Sequence, residues 1–207
     1  MALDANLYLD EMALAKYCPE KACELCKVTS FDEFLQRLKN GQLKGGTCPH
    51  WSSARIEAFR IAVEADDLVQ PVPMLDVPRP TESQVLELND PGPDAPVLVT
   101  GNSRSTQSVV LSILSLATGP MRLLTVDVRG HTVDMALIFK EFAADKVNGA
   151  FDDFGVDFAA ASRIILPGLA APIVAELESM LGRAIEIGPI CAAEIPLHMA
   201  DDWVGRK

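Results

Sequence analysis

A chain of 207 residues and 22.3 kDa, 49% of them hydrophobic, can build one ordinary domain with a small satellite and is too apolar for a disordered polymer. Eighteen Lys and Arg stand against 29 Asp and Glu, a formal charge of −11 that excludes partners gripped through their phosphates, nucleic acid and acidic membranes alike. No 18-residue apolar run is present and the first residues carry acids where a signal peptide needs bases, so a cytoplasmic, reducing setting is expected.

Four of the five cysteines, Cys18, Cys23, Cys26 and Cys48, come early in the chain, and Cys191 stands far away. An odd count with that distribution suits a metal or cluster site better than a disulfide framework. Between and after the thiols the spacing predicts helices. "FDEFLQRLKNGQ" (31–42) sets Phe31, Phe34, Leu35 and Leu38 on one stripe with Gly41 as a stop. "SSARIEAFRIAVEA" (52–65) has Ser52 or Ser53 as its cap and Ile56, Phe59 and Val63 at helical spacing.

Residues 68–95 are a proline-rich connector, extended because proline fixes φ and removes a donor, with one short strand at 84–88. Beyond it the grammar becomes alternating. Strands are predicted at 97–100, 122–128, 163–167 and 184–189, and helices at 106–117, 132–147 and 170–181. Continuous β-branched runs between helices predict an α/β fold: a small, mainly helical, cysteine-rich domain (1–67), the linker (68–95) and a Rossmann-like αβα domain (96–207) with a mostly parallel sheet.

The pattern Cys18-x4-Cys23-x2-Cys26-x21-Cys48-Pro49 offers four thiolates, enough for a [4Fe-4S] cubane or a zinc tetrahedron. Zinc sites favour two tight cysteine pairs, whereas a tight group with one distant Cys-Pro favours the cluster; unmetallated redox thiols are the third reading. An exposed Trp51 and His50 are expected to flank the site. Cys191 reads as a buried apolar cysteine. There is no G-x-G-x-x-G after a strand, no phosphate-binding P-loop and no Ser–His–Asp set, so no catalytic residue is assigned. Strand ends that run through Gly-rich turns into helices present backbone donors to a ligand, and Thr100, Gly101, Asn102, Ser105 and Thr106 occupy such a turn. The plainer reading of that turn is a helix cap. His131 is read as lining a pocket, with cobalt ligation or a capping role as alternatives, and Asp127 as orienting backbone or a ligand amide.

Two blocks resemble a known family, the large (gamma) subunit of the corrinoid iron–sulfur protein of the acetyl-CoA synthase/decarbonylase pathway. "CELCKVTSFDEFLQRLKNGQLKGGTCP" (23–49) is similar to its cluster domain. "PVLVTGNSRSTQSVVLSIL" (96–114), "LLTVDVRGHTVDMA" (123–136) and "RIILPGLAAPIVAELESMLGRAIEIGPICAAEIP" (163–196) are similar to its C-terminal domain. A TIM barrel lies between these blocks in the family, and only the connector lies there in this chain. Cys23, Cys26 and Cys48 match the family's ligand positions, but Phe31 stands at the third, so Cys18 is expected to supply the missing thiolate.

The resemblance implies a [4Fe-4S] cluster that exchanges single electrons with a cobalamin-type corrinoid, in anaerobic one-carbon metabolism. Methyl groups would move between a tetrahydropterin donor, cobalt and a nickel centre. It further implies that Thr100, Gly101, Asn102, Ser105, Thr106, Asp127, Gly130, His131, Gly168, Ala170, Gly188, Ala192 and Glu194 line the corrinoid edge. The chain would be a redox or methyl-transfer accessory rather than a stand-alone enzyme. A corrinoid protein, a methyltransferase or redox partner, or a second copy of the chain would close the site. The alternatives are an electron carrier or docking subunit without corrinoid, and a zinc-stapled structural protein.

Overall fold

The computed structural model describes residues 4–18, 27–43, 51–74, 77–155 and 159–204. Helix α1 (Phe31–Lys39) starts where Ser30 accepts the Glu33 N–H at 3.1 Å, and Glu33 reaches back to the Thr29 N–H at 2.6 Å. These contacts satisfy donors that a helix start leaves open. Gly41, at φ 66°, follows its end. Ser52 caps helix α2 (Ser53–Val63) in the same way, through the Arg55 N–H at 3.2 Å. A four-residue helix, α3 (Ala65–Leu68), follows.

Trp51 is buried, not exposed as the sequence suggested. Its ring stacks on Phe59 with centroids 4.8 Å apart and meets Phe34 edge-on at 4.7 Å. Aromatic pairs in these geometries add stability beyond the area they bury, which draws the indole inward. His50, its expected companion, lies outside the described residues.

Among the described residues five strands form one sheet, in the order β1-β3-β2-β4-β5. They are β1 (Val85–Leu88), β2 (Val97–Gly101), β3 (Met121–Val126), β4 (Ile164–Leu166) and β5 (Glu186–Ile187). The last four run parallel, and β1, contributed by the connector, lies antiparallel on the edge of β3. Alternation along each strand divides the core. Val97, Val99, Leu124, Val126, Ile164 and Leu166 face α5 (Val133–Ile138), α6 (Ala144–Asp153) and α7 (Val174–Leu181). Leu98, Leu123 and Ile165 face α4 (Arg104–Leu114), α8 (Ile195–Met199) and Ile61 of α2.

Helix α2 is therefore packed on two sides. Ile56 and Phe59 join the N-terminal aromatic cluster while Ile61 joins the sheet. The described N-terminal residues carry short 3-10 helices and α1–α3, Asp4 bridges Pro73, and the aromatic cluster meets the core of the sheet along α2.

The single helix expected over 132–147 is two helices. Helix α5 stops at Ile138, Lys140 takes φ 57°, and the N–H groups of Glu141 and Phe142 both turn back to the Ala136 carbonyl. The break puts Phe142 in the core at 1% exposure, whereas Ile138 and Phe139 stay 70% and 54% exposed. One straight helix has too narrow an apolar stripe to bury every hydrophobic residue of this segment. The helix expected over 170–181 likewise begins as a 3-10 turn, Gly168–Ile173, which contains Pro172, before α7.

Candidate functional site

Parallel strands bring the loops after β2, β3, β4 and β5 to one edge of the sheet. The chain runs from β2 to β3 on one side and then crosses to β4 on the other. The crevice between β2 and β4 is thus the switch point where open α/β sheets admit ligands.

The loop after β2 does not present a bare row of donors there. Asn102 N–H donates to the Val126 carbonyl at 2.8 Å, and Arg104 N–H to the Arg79 carbonyl at 2.9 Å. The connector crosses this loop: Pro80 bridges Ser103, and the Thr81 N–H and hydroxyl donate to the Asn102 carbonyl at 2.7 and 2.9 Å. The Asn102 side chain, 3% exposed, completes the junction. Its Nδ2 donates to the Thr81 carbonyl (2.9 Å) and Asp127 Oδ1 (3.1 Å), and its Oδ1 accepts Val128 N–H (2.9 Å) and Gly130 N–H (3.3 Å).

Several other expected site residues shape backbone. A Cβ on Gly101 would lie 2.6 Å from Val128 Cγ2, and one on Gly130, at φ 78°, only 2.3–2.6 Å from the backbone of Arg79 and Pro80. Between the loops after β4 and β5, Gly168 N–H donates to the Pro189 carbonyl and Gly188 N–H to the Leu166 carbonyl. A Cβ on either glycine would come within 2.9 Å of its neighbours. Thr100 and Ala170 are buried.

Ser105 and Thr106 are half-buried in the first turn of α4, and Asp127 is exposed, accepting the Arg129 N–H at 3.0 Å. His131 is half-buried, with Nδ1 3.2 Å from the Val128 carbonyl and its ring against Phe139, centroids 5.0 Å apart. Around it Met135 and Ile138 on α5 and Phe139 at its C-cap are exposed. This edge therefore combines hydroxyls, a carboxylate and an imidazole, all able to bond amides, with apolar ground beside them.

Ala192 and Glu194 belong to a different neighbourhood. Ala192 lines a small cavity of about 190 Å³ with Cys191, Ala65 and Leu9. Glu194, 2% exposed, meets Lys16 Nζ at 3.0 Å. Burial alone would pull the Lys16 ammonium below its usual range, but hydrogen bonding to Glu194 and Tyr17 raises it overall. Cys191 is buried as expected, and burial pushes its thiol up. On α8, His198 faces Glu186 with Nε2 2.8 Å from Oε1.

Of the four expected cluster ligands, Cys23, Cys26 and Cys48 lie outside the described residues. Among the described residues no group of three or more potential ligands gathers as a metal site. Cys18 is half-buried and packs against the same aromatic cluster as Phe31. Arg55 supports this segment, donating to the Tyr17 carbonyl at 3.1 Å and to the Leu197 carbonyl of α8 at 2.9 Å. A second cavity, of about 380 Å³, is lined by Tyr17, Trp51, Arg55 and Asp201.

Comparison with known proteins decides the family. Residues 74–199 match the model of the CO dehydrogenase/acetyl-CoA synthase delta subunit. The chain belongs to this family. The match starts within the connector and takes in every strand of the sheet. Individual relatives carry the gamma name. The chain is 34% identical over 129 residues to the acetyl-CoA decarbonylase/synthase complex subunit gamma of Methanosarcina acetivorans, covering 61% of this chain. It is 33% identical over 129 residues to subunit gamma 2 of Methanosarcina thermophila (61% of this chain) and 28% over 131 residues to subunit gamma of Archaeoglobus fulgidus (63%). The resemblance to gamma subunits therefore holds, across archaeal members of the family. Each match spans 28% of the relative's length.

No local pattern announces three residues that organise these sites: Arg55, Lys16 and Thr81. Their partners lie far away in the chain, and only prolines 78 and 80, which hold Arg79 extended, hint at a strap.

Proposed function

We propose that this chain is a corrinoid-associated [4Fe-4S] protein of anaerobic one-carbon metabolism. Residues 1–67 carry the cluster ligands, 68–95 the connector, and 96–207 the corrinoid-facing part. The observation that carries the reading is the family match over 74–199 together with homology to decarbonylase/synthase gamma subunits. When bound, a corrinoid would supply a cobalt centre for methyl or electron transfer, and a cluster held by the cysteines would supply a one-electron redox centre.

The chain's own residues at the carboxyl edge fit such a ligand. Ser105, Thr106, Asp127 and His131 would hydrogen-bond its peripheral amides, while Met135, Ile138 and Phe139 would offer it apolar contact. Thr100, Gly101, Asn102, Gly130, Gly168, Ala170 and Gly188 set the backbone that presents them. One small α/β layer covers one face of a macrocycle, so a corrinoid protein, a methyltransferase or redox partner, or a second copy covers the other. Cys18, Cys23, Cys26 and Cys48 hold the cluster, with Cys18 replacing the ligand absent at Phe31. The role is that of a cytoplasmic accessory to electron or methyl transfer.

Titrating anaerobically prepared protein with cobalamin tests the corrinoid half of this reading. Saturable binding is expected, followed by the shift of the corrinoid bands and weakened by Asp127→Ala or His131→Ala. Absence of binding, with and without candidate partners, contradicts it. The connector seated over the loop after β2 favours a second reading, an electron carrier or docking subunit that binds cluster alone; iron without corrinoid affinity is its signature.

A further inference from the structure

The first described residues are tied into the fold. Ala5 N–H donates to the Val72 carbonyl at 2.7 Å and Asp4 bridges Pro73, both in the connector. The chain then turns at Leu7 and Tyr8, consecutive residues at φ 54° and 61°, into a 3-10 turn, Leu9–Glu11. Asn6 closes that turn: its Oδ1 accepts the Leu9 N–H at 3.1 Å and its Nδ2 donates to Asp10 Oδ2 at 2.7 Å. Tyr8, Leu9 and Met12 pack onto Ala65, Cys191 and Ala193. Leu7 and Leu9 roof the cavity of about 190 Å³, whose other walls include Val109 of α4 and Cys191, Ala192 and Ala193. Tyr8 also meets α5: burial, and next the carboxylate of Asp134 in the first turn of that helix, push its phenol above the usual range. Strand order fixes what lies beneath. Asp134 follows β3 and Cys191 follows β5, and the crevice between β2 and β4 lies between those two strands. Helix α5 itself packs over β2 and the turn after β4. A segment that touches both sides therefore passes over the crevice.

We propose that residues 4–12 are a lid, closed over the crevice between β2 and β4, and that a ligand reaches this carboxyl edge only by displacing it. The enclosed volume, about 190 Å³, falls below the roughly 300–1,000 Å³ of small-molecule sites, so the closed lid leaves no room for a macrocycle. The lid is also built to lift. Among the described residues its ties are main-chain contacts to the connector and half-buried side chains, the pattern of an element that opens locally. Lifting releases the left-handed backbone of Leu7 and Tyr8, which any residue with a Cβ resists. The lid itself stands on this geometry; only the identity of its ligand, a corrinoid, rests on the reading above.

Alkylation of Cys191, 2% exposed beneath the lid, reads its opening in the full-length chain without any ligand. Tyr8→Ala is expected to speed labelling roughly ten-fold, the equivalent of about 1.4 kcal/mol of local protection. Asn6 is exposed and lines neither the cavity nor the cluster around the thiol, so its variant reads opening alone. Asn6→Ala is expected to speed labelling roughly five-fold by loosening the turn. Amide exchange in β2 and β3 is the control for global loosening and is expected to stay unchanged. Labelling unchanged in both variants overturns the proposal, as does strand exchange rising in step with it. In the wild-type chain the Ala5 amide is expected to exchange far faster than those strands, and equal protection overturns the proposal as well.

Cobalamin supplies the ligand arm. Displacement predicts that Tyr8→Ala binds it more tightly by the same factor by which labelling rises, since both report the population of the open lid. Faster labelling with weaker binding would make Tyr8 a ligand contact and overturn the exclusion. No binding by either form refutes the corrinoid reading, an outcome separate from the labelling result.

Discussion

Thr81 and Asn102 bond each other through main chain and side chains alike: two donors of Thr81 converge on the Asn102 carbonyl, and Asn102 Nδ2 returns to the Thr81 carbonyl at 2.9 Å. Because the Asn102 Oδ1 also holds Val128 and Gly130, one buried amide joins the connector, the end of β2 and the loop after β3. Asn102→Ala leaves two N–H groups and one carbonyl without that partner. The expected loss is about 2–4 kcal/mol of stability in urea unfolding, since each unsatisfied buried group costs about 1–3 kcal/mol. A loss below about 0.5 kcal/mol would show that water or relaxation replaces the amide.

Gly130 and Gly182 both have positive φ, 78° and 65°, yet only Gly130 is crowded. Gly182→Ala meets no atom within 4 Å and is expected to cost about 1–2 kcal/mol, the backbone term alone. Gly130→Ala drives a methyl into the connector backbone and is expected to cost at least about 3 kcal/mol, unless the strap lifts. Thermal melts of the two variants make the comparison, and equal shifts would mean that the strap is not held tightly.

The aromatic cluster is expected to hold the N-terminal helices. Phe59, fully buried among Phe31, Phe34 and Trp51, is the ring they share. Phe59→Ala is expected to cost about 3–5 kcal/mol and to shift Trp51 fluorescence to the red as water reaches the indole. An unshifted emission maximum would contradict the packing.

His198 gives a pH signature. Burial, chiefly, holds its imidazole below the ordinary histidine range, against the pull of Glu186, with Arg163 and Lys16 also disfavouring the charge. The unfolded chain therefore binds the proton more readily. Stability is full above about pH 6.5 and falls as acid protonates the unfolded state. Glu186 acts lower: hydrogen bonding to Arg163 holds its carboxyl below the usual range, so its contribution is lost on acidification below about pH 4.5. His198→Gln is expected to flatten the stability curve between about pH 7 and 5 and to leave the steeper acid limb. An unchanged slope in that window would remove His198 from the account.

Periodicity revealed the alternating half of this chain well, because fully buried strands such as "VLVTG" and "MRLLTV" carry their apolar runs in the open. It failed where two surfaces compete for one segment. The apolar stretch Met135–Phe142 reads as one helix, and only the sheet above it selects Phe142 for the core. Trp51 looked like a surface flank because its partners Phe34 and Phe59 are assembled by tertiary packing. The turn at 100–106 was legible as a site, but its donors are met by Arg79 and Val126, which no local pattern announces. Glu194 enters the ligand edge only through the family resemblance, and its partner Lys16 lies at the other end of the chain.

Cluster ligation supplies its own contrast. Cys18→Ser is expected to lose iron as severely as Cys23→Ser or Cys48→Ser, while Cys191→Ser, altering a thiol buried between Ala65 and Ala193, retains it. A Cys18 variant that keeps its full iron content would return the fourth ligand to another residue.

The most direct measurement is quantitative iron, sulfide and cobalt analysis of the anaerobically purified chain after incubation with cobalamin. The account predicts about four iron and four sulfide per chain, the content of a cubane cluster, together with stoichiometric cobalt. One zinc per chain with neither iron nor sulfide would contradict it.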